Sequence, residues 1–385
     1  MESSFCEPLW ETDETRIFRN SVRRFVEAEF APVQDEWRKR KGPGAEAWKK
    51  AGSAGLLLAD VPMDYGGGGG NFANEIIVCE ELANAGVHFG CSIQGIVARY
   101  ILSYGSEEQK RRWLPDMARG NLIAAIAMTE PGTGSDLPSI RTTARPDGDH
   151  YVINGSKTFV SNGTLANLIC LAAKTDTNVA PFRGISMIIV ETTDLPGYKV
   201  GSPLEKVGMQ GQDTCELFFD DVHVPKANLL GRSEGHGLVQ MTEQLPYERL
   251  TIAAKALTTA ERALTLTTGY VKERAAFGQP IIDFQNTRFK LAECKTETHI
   301  GRVFLNDCIQ RCVMGKIDDL TAAMAKLWFT DTEWKIVDTC AQLHGGYGYM
   351  LEYPIARAYV DARVTTIYGG TTEIMKEIIG RALGV

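Results

Sequence analysis

The sequence predicts an α+β protein of three consecutive domains, with helices at both ends and strands in the middle. Two changes in the hydrophobic pattern carry this prediction: helical spacing gives way to short apolar runs at Leu122 and returns after Gly237. A chain of 385 residues with 44% apolar residues is also long enough to bury a substantial core. The predicted domains are a helical domain over residues 1–121, a β-domain over 122–235 and a helical bundle over 236–385.

The first domain is predicted to be entirely helical. Apolar residues recur at helical spacing over residues 12–40, with charges on the opposite face, and the pattern stops at Lys41-Gly-Pro-Gly44. Five glycines at residues 66–70 suggest a phosphate-binding loop, but no Gly-Lys-Ser or Gly-Lys-Thr follows, so a flexible connector is favoured. The other predicted elements are a helix around Trp48, helices over 71–84 and 89–104, and one that starts with a capping box at Ser106-Glu-Glu-Gln109.

The middle domain is predicted to be a small β-barrel or sandwich, because its short apolar runs are separated by Asp, Gly and Pro turns. The segment Tyr151–Ser161 contains Asn154-Gly155, a strong short signal for a hairpin turn. Further predicted strands lie at residues 122–128, 167–173, 185–191 and 215–222.

The third domain is predicted to be an antiparallel bundle, because three apolar stripes at helical spacing are joined by short glycine-bearing connections. Its last part, residues 342–375, has glycine turns at 345–346 and 369–370. Thr371 or Thr372 is expected to cap the final helix.

Composition excludes several classes of function. A net charge of -7 and a pI near 5.6 provide no general attraction to phosphate backbones, so nucleic acid is not expected as a partner. The nine cysteines and six histidines show no spacing typical of a metal or redox site, which favours free buried thiols in a reducing compartment. The acidic, polar N-terminus and the short apolar runs predict neither a targeting segment nor a membrane span, and hence a cytoplasmic protein.

Five motifs in a fixed order carry the functional prediction. Met128-Thr-Glu-Pro-Gly-Thr-Gly-Ser-Asp136 follows a predicted strand, and its small residues let backbone amides approach a flat or anionic group. The other four motifs are Lys157-Thr-Phe-Val-Ser-Asn-Gly163, Arg274-Ala-Ala-Phe-Gly278, Gln342-Leu-His-Gly-Gly346 and Tyr368-Gly-Gly-Thr371. Together they resemble the acyl-CoA dehydrogenase family, and the resemblance runs from about Thr12 to Gly384.

The resemblance implies a flavoenzyme in which a helical domain, a β-domain and a C-terminal four-helix bundle enclose FAD and an acyl-CoA thioester. It places Met128, Thr129, Phe159 and Ser161 around the isoalloxazine ring, the first two as backbone donors, and Ser135 and Asp136 beside the flavin or the pantetheine arm. It assigns the FAD pyrophosphate and adenosine to Arg274, Phe277 and Gln285 with Gln342, Gly345 and Gly346 of a neighbouring subunit, while Thr371 and Glu373 complete the cofactor site. For Arg274, a solvated charge at a helix end is the alternative interpretation.

The catalytic base is expected at Glu248. Much of the family carries a glutamate where this chain has Gly369, which cannot accept a proton. The long-chain and isovaleryl branches instead place the base in a segment that resembles Leu245-Pro-Tyr-Glu-Arg-Leu250, and its apolar neighbours would raise the carboxyl pKa by desolvation. The alternative is a surface salt-bridge partner in the first turn of a helix.

The resemblance also implies substrate contacts at Ser135, Tyr247, Arg249, Gly369 and Gly370. Arg249 would lie beside the thioester or the pantetheine, and a plain ion pair is its alternative. The acyl pocket would be shaped by residues 92–99, which leaves the chain length of the acyl group open.

The fuller agreement is with the long-chain branch, through Gly105-Ser-Glu-Glu-Gln109, Glu352-Tyr-Pro354 and Tyr359-Val-Asp-Ala-Arg363. The implied reaction forms a trans-2-enoyl-CoA in fatty acid β-oxidation: Glu248 takes the α-proton and flavin N5 accepts the β-hydride. Electrons would pass to an electron-transfer flavoprotein, and the subunits would form a homodimer or a homotetramer. An oxidase, a dehydrogenase for a carrier-bound or branched acyl group, and a non-catalytic flavin-binding scaffold stay open as alternatives.

Overall fold

The computed structural model describes residues 8–384. The outer ends of the first and last predicted domains, Cys6 and most of the N-terminal segment considered for targeting lie outside this range. The first domain is helical, as predicted, and the third consists of helices with one short hairpin. The helices of the first domain are α1 (Asp13–Phe25), α2 (Gln34–Arg40), α3 (Ala45–Ser53), α4 (Phe72–Ala85), α5 (Cys91–Tyr104) and α6 (Glu107–Arg119).

The predicted single helix over residues 12–40 is wrong in detail. Between α1 and α2 the chain forms a π-turn at Val26–Phe30 and a 3-10 turn at Ala31–Val33. Pro32 has no amide hydrogen to donate, so the regular hydrogen-bond pattern cannot continue through it. The capping box at Ser106 is confirmed, because its side chain accepts from the Gln109 amide while the Gln109 side chain accepts from the Ser106 amide.

The glycine-rich loop after α3 is closely packed and is not the loose connector that the sequence suggests. The amides of Gly68 and Gly70 donate to the carbonyls of Leu58 and Ala59, each at 3.0 Å. A Cβ atom on Gly67 would lie only 2.3 Å from the carbonyl oxygen of Val61. The glycines are therefore needed for close backbone approach.

The middle domain contains one curled seven-stranded sheet, with β5 paired to β4 and the other strands in the order β1-β4-β2-β3-β7-β6. Its strands are β1 (Ala124–Ala127), β2 (Thr143–Asp147), β3 (His150–Ser161), β4 (Leu168–Lys174), β5 (Ile185–Glu191), β6 (Tyr198–Val200) and β7 (Thr214–Pro225). β4 is buried on both faces, which explains its unbroken apolar sequence.

The hairpin prediction at Asn154-Gly155 is wrong. This dipeptide lies inside β3, at an irregularity of the pairing with β7, and the turn of the β2–β3 hairpin is at residues 148–149. The Asn154 side chain bonds across to Asp221 at the irregularity, donating to its carboxylate at 2.9 Å and accepting from its amide at 3.0 Å. Asn154 therefore stabilises an irregular strand pair and not a turn.

The third domain is a bundle whose main helices are α7, α8 and α9, joined by short connections. Small buried residues of α7, including Ala256, Ala260 and Ala263, let neighbouring helices approach closely. Its elements are α7 (Gly237–Glu273), β8 (Ala275–Ala276), β9 (Gln279–Pro280), α8 (Gln285–Val313), α9 (Asp319–Leu343), α10 (Pro354–Ala362) and α11 (Thr372–Ala382).

One hydrophobic core joins the three domains. It includes Trp48 and Phe89 of the first domain, Leu168 of the sheet, and Leu250 and Phe329 of the bundle. Eight free cysteines are buried in the described residues, as predicted. None of the described helices is both long and apolar enough to cross a membrane. In the same part of the chain, no group of three or more His, Cys, Asp or Glu could hold a metal ion.

Candidate active site

Glu248 lies in the interior of α7, eleven residues after the helix begins at Gly237, and not in a first turn. Its half-buried side chain lines a small cavity between α4, α5 and α7. The Tyr100 hydroxyl donates to Glu248 Oε1 at 3.4 Å. Burial raises the Glu248 pKa to about 7, opposed by the charge of Arg249 and the hydrogen bond from Tyr100. The rise in the Glu248 pKa that the sequence predicts is therefore explained by the burial of the carboxyl at this cavity.

The Gly369 backbone lies against the same face of α7 as Glu248. Gly369 has a φ of +66°, and a Cβ atom built on it would lie 2.4 Å from Ile252 Cδ1. Ile252 is one helical turn after Glu248, so the two side chains share one face of the helix. The structure thus brings the vacant loop position and the candidate base to neighbouring places.

Lys326 anchors the loop that carries Gly369. Its fully buried ammonium group donates to the Gly370 carbonyl at 2.6 Å, and burial lowers the Lys326 pKa to about 8. Thr371 caps α11 by accepting from the Ile374 amide at 3.3 Å, which confirms one of the two expected caps. Glu373, in the first turn of the same helix, is exposed. Sequence analysis missed Lys326, although a lone lysine among the buried apolar positions of α9 was a usable signal.

A buried ion pair shapes the loop after β1. Lys157 Nζ donates to Glu130 Oε1 at 2.8 Å and to the Met128 carbonyl at 2.9 Å. Burial lowers the Lys157 pKa to about 8. For Glu130, burial raises the pKa, but the hydrogen bonds from Lys157 and Thr142 outweigh this effect and keep the pKa below its usual value. The Thr129 carbonyl accepts from Thr158 at 3.0 Å, while its amide donates to no described residue. That amide is free to meet a ligand.

Phe159 belongs to the same wall. It lies at an irregularity of β3 with a φ of +57°, and 67% of its surface is exposed. A bulky residue in this conformation is an outlier that is typical of functional sites. Met128, Thr129 and Phe159 therefore come together, with the half-buried Ser161 two residues along the strand, whereas Ser135 is exposed on the loop.

A second group of predicted cofactor residues lies at the far end of α7. Arg274 is exposed, forms no ion pair with any described residue, and has its guanidinium carbon 5.9 Å from the centre of the Tyr347 ring. Phe277, with a φ of +53°, is 96% exposed in the β8–β9 turn. The other predicted members, Gln285, Gln342, Gly345 and Gly346, are exposed as well.

The two neighbours of Glu248 have different surroundings. Arg249 is buried and forms an ion pair with Asp319, so the interaction named as its alternative is present. The Tyr247 ring lies 5.7 Å from the Phe72 ring and 4.4 Å from the guanidinium carbon of Arg99. Sequence analysis included Arg99 only as one end of the segment 92–99 expected to shape the acyl pocket.

Comparisons with known proteins cover nearly the whole chain. Family models for the acyl-CoA dehydrogenase N-terminal, middle and C-terminal domains match residues 12–121, 125–222 and 235–384. The mitochondrial long-chain specific acyl-CoA dehydrogenase of Sus scrofa is 44% identical over 379 residues, which are 97% of this chain and 87% of the relative.

Solved structures agree with these matches. The crystal structure of an acyl-CoA dehydrogenase from Geobacillus kaustophilus has a TM-score of 0.96 and 46% identity, with 98% of this chain and 100% of that chain covered. A chain in the structure named for the electron transferring flavoprotein of Acidaminococcus fermentans has a TM-score of 0.91 and 35% identity, with 97% and 98% covered.

Proposed function

The chain belongs to the acyl-CoA dehydrogenase family of FAD-dependent oxidoreductases that act on CH-CH donors, and on this premise we propose that Glu248 is its catalytic base. The substrate would be a saturated acyl-CoA thioester and the product a trans-2-enoyl-CoA. The observation that carries the proposal is the Glu248 carboxyl at the cavity, with a pKa of about 7. A general base is most effective when its pKa lies near the working pH.

The residues present fit FAD. A flat ring can lie against the exposed Phe159 side chain, and the free Thr129 amide can donate to a ring carbonyl. Arg274 has no ion-pair partner in the described part of the chain, and a guanidinium group binds phosphate oxygens in bidentate fashion. We infer that Met128, Thr129, Phe159 and Ser161 hold the ring, and that Arg274, Phe277 and Gln285 with Gln342, Gly345 and Gly346 of a neighbour hold the rest, while Thr371 and Glu373 complete the site.

Bound FAD would supply the acceptor for the β-hydride. The protein's own contribution is to remove the α-proton with the Glu248 carboxylate, which Tyr100 orients through its hydrogen bond. Gly369 lets the loop approach α7 closely because it has no side chain, and Lys326 keeps that loop in place through the Gly370 carbonyl. Tyr247, Arg249, Gly370 and Ser135 are the proposed further contacts of the thioester and its pantetheine arm.

We further propose an electron-transfer flavoprotein as the electron acceptor and fatty acid β-oxidation as the setting. Support comes from the likeness to the Sus scrofa long-chain enzyme and to the chain in the Acidaminococcus structure. Eight buried free thiols are consistent with the reducing conditions of a cytoplasm.

The test is anaerobic bleaching of the purified, FAD-loaded protein by a series of acyl-CoA thioesters. Glu248→Gln keeps the size of the side chain but removes the base, so we expect the bleaching rate to fall by about 10²–10⁴-fold. Glu243→Gln is the matched control, because Glu243 is exposed on the same helix. Undiminished bleaching in Glu248→Gln would exclude Glu248 as the base.

A further inference from the structure

Several charged and polar side chains stand among the apolar residues that line the cavity beside Glu248, where the acyl chain of a substrate would lie. They include Asp60, Glu75, Arg99 and Gln244, together with Tyr247 and Glu248. Such a lining is unusual for a site that receives a plain hydrocarbon chain, because unpaired polar groups lose hydration there without compensation.

Arg99 is held in place but keeps unused donors. It forms an ion pair with Asp60, and its guanidinium carbon lies 4.4 Å from the Tyr247 ring centre and 5.5 Å from the Phe72 ring centre. Its side chain is 24% exposed. A guanidinium group has five N–H donors. Among the described residues, Arg99 donates a hydrogen bond only to Asp60, from one of its nitrogens. The remaining donors are available to a ligand.

Glu75 is the second residue whose hydrogen-bonding groups are not all used. It is 5% exposed and forms no hydrogen bond with any described residue. Its carboxyl fits against Gly95, where a Cβ atom would lie 2.9 Å from Glu75 Oε1. Burial and the charge of Asp60 raise the Glu75 pKa above its usual value, opposed by Arg99, which favours the neutral form of this carboxyl with its O–H donor.

Gln244 adds an acceptor. Its Nε2 donates to the Tyr104 hydroxyl at 3.1 Å, whereas its buried Oε1 has no hydrogen-bond partner in the described residues. Buried polar groups are nearly always paired. Unpaired polar atoms on two helices that line one cavity therefore indicate a ligand with its own polar atoms.

The charge balance indicates the kind of polar group. Arg99 and Asp60 neutralise each other, and the environment favours the neutral form of Glu75, so the cluster has no net positive charge to balance an anion. A carboxylate on the ligand would face Asp60 and Glu248, and a buried charge without a counter-charge is costly. A hydroxyl or carbonyl oxygen can instead accept from Arg99 and Glu75 without adding charge.

We propose that the acyl group oxidised by this protein carries an uncharged oxygen function, a hydroxyl or carbonyl, beyond the reacting carbons, and that Arg99 and Glu75 bind it. This inference rests on the proposed dehydrogenation with Glu248 as base. Under this proposal, Arg99 and Glu75 determine substrate specificity by binding the distal part of the acyl group.

The test compares CoA thioesters of one chain length by steady-state turnover of the FAD-loaded protein with a redox dye as electron acceptor, and by anaerobic bleaching. The panel contains hexanoyl-CoA, its derivatives with a hydroxyl or oxo group on the fifth carbon, adipyl-CoA and 6-aminohexanoyl-CoA. We expect kcat/KM for the hydroxyl or oxo compound to exceed that for each of the others by at least about tenfold, because a site built for an oxygen atom rejects an analogue without it.

Several results would overturn the inference. Hexanoyl-CoA or a longer unsubstituted thioester reacting as fast as the oxygenated compounds would refute it and leave the dehydrogenase function intact. Preference for adipyl-CoA or the amine would replace it with a charged substrate class. Absence of bleaching with every thioester would refute the proposed function itself.

Variants locate the preference. Glu75→Leu, and separately Asp60→Asn combined with Arg99→Met, should lower the ratio of oxygenated to unsubstituted kcat/KM at least about tenfold. Arg112→Met, at an exposed ion pair with Glu191, is the control and should keep the wild-type ratio. The flavin spectrum and thermal melting of each variant report its folding. An unchanged ratio in folded Glu75→Leu and in the folded double variant would contradict the assignment.

Discussion

At the scale of single residues, the ionisation of Glu248 is set by two opposing influences. The cavity wall removes water from the carboxyl and raises its pKa to about 7, while Arg249 and the Tyr100 hydroxyl favour the charged form. Only the charged form can accept a proton, so the environment would place the working range of the proposed base close to neutrality.

This setting predicts a pH profile. The bleaching rate of the FAD-loaded protein should rise with pH by about tenfold per unit below pH 7 and level off above it, because the ionised fraction of Glu248 rises in this way. Stopped-flow measurements from acidic to mildly alkaline pH provide the profile. Tyr100→Phe should move it to higher pH, because the hydrogen bond at 3.4 Å stabilises the carboxylate. A rate that falls with rising pH, or the same midpoint in both proteins, would speak against this account.

The individual residues also show what sequence can and cannot predict. Glu248 and Gly369 could be singled out because each belongs to a short continuous motif. The pairing of Lys157 with Glu130 joins residues 27 positions apart, and the contact of Lys326 with Gly370 joins residues 44 apart. Such partners depend on how the strands and helices meet, and no local pattern contains that information.

At the scale of elements, the loop before α11 is fixed by its contact with α7. Gly369 occupies the left-handed region, and the space that a side chain would need is taken by the end of Ile252. The loop therefore approaches the proposed base as bare backbone, and a side chain at this position would require the end of Ile252 to move aside.

A matched pair of substitutions measures this contact. Gly315→Ala should lower the free energy of unfolding by about 1–2 kcal/mol, the cost of a left-handed backbone at a residue with a side chain. Gly315 has a φ of +65°, and nothing lies within 4 Å of the place that its Cβ atom would take. Gly369→Ala should lower the free energy of unfolding further, because of Ile252. In an Ile252→Val background, which lacks Cδ1, the excess should shrink. Urea unfolding provides the values, and equal losses for both glycines would contradict the packing described for Gly369.

The element-level errors of the sequence analysis have physical causes. Helical spacing over residues 12–40 is real, but a proline without an amide breaks the regular pattern inside it. Asn154-Gly155 has the composition of a turn, yet pairing with Asp221 across the sheet keeps it in a strand. Long periodic segments such as α7 and α9 were predictable because their spacing needs no partner to be recognised.

At the scale of the whole molecule, three large apolar side chains are exposed on one side of α8. Phe289, Ile300 and Val303 are 57%, 56% and 55% exposed, and their spacing places them on one side of the helix. Exposed apolar side chains grouped on one face are a feature of interaction surfaces. A second copy of the chain is the expected occupant, in line with the homodimer or homotetramer implied by the family resemblance.

Charge on this face should break the assembly. Ile300→Glu with Val303→Glu places two carboxylates in the proposed contact, so we expect a smaller oligomer at equal protein concentration. Size-exclusion chromatography with light scattering measures the mass. Lys49→Glu, an exposed charge change on α3, is the control and should leave the mass unchanged. A wild-type monomer, or an unchanged mass in the double variant, would refute the interface.

The length of α7 has a consequence for how sites are divided between subunits. From Glu248 to Arg274 the helix rises by about 39 Å at 1.5 Å per residue, which is more than one extended FAD molecule spans. The arginine that holds the phosphates of each FAD would then come from the neighbouring subunit, where Arg274 lies at the same end of the bundle as Gln342, Gly345 and Gly346. Each chain would thus contribute its proposed base to one catalytic centre and its arginine to another.

Two defective chains should therefore complement each other. In a mixed dimer of Glu248→Gln and Arg274→Met, one centre inherits both defects and the other inherits neither. Co-expression with two different affinity tags isolates this species, and its activity should approach half that of the wild type. Activity no higher than that of either parent would mean that base and arginine serve the same centre.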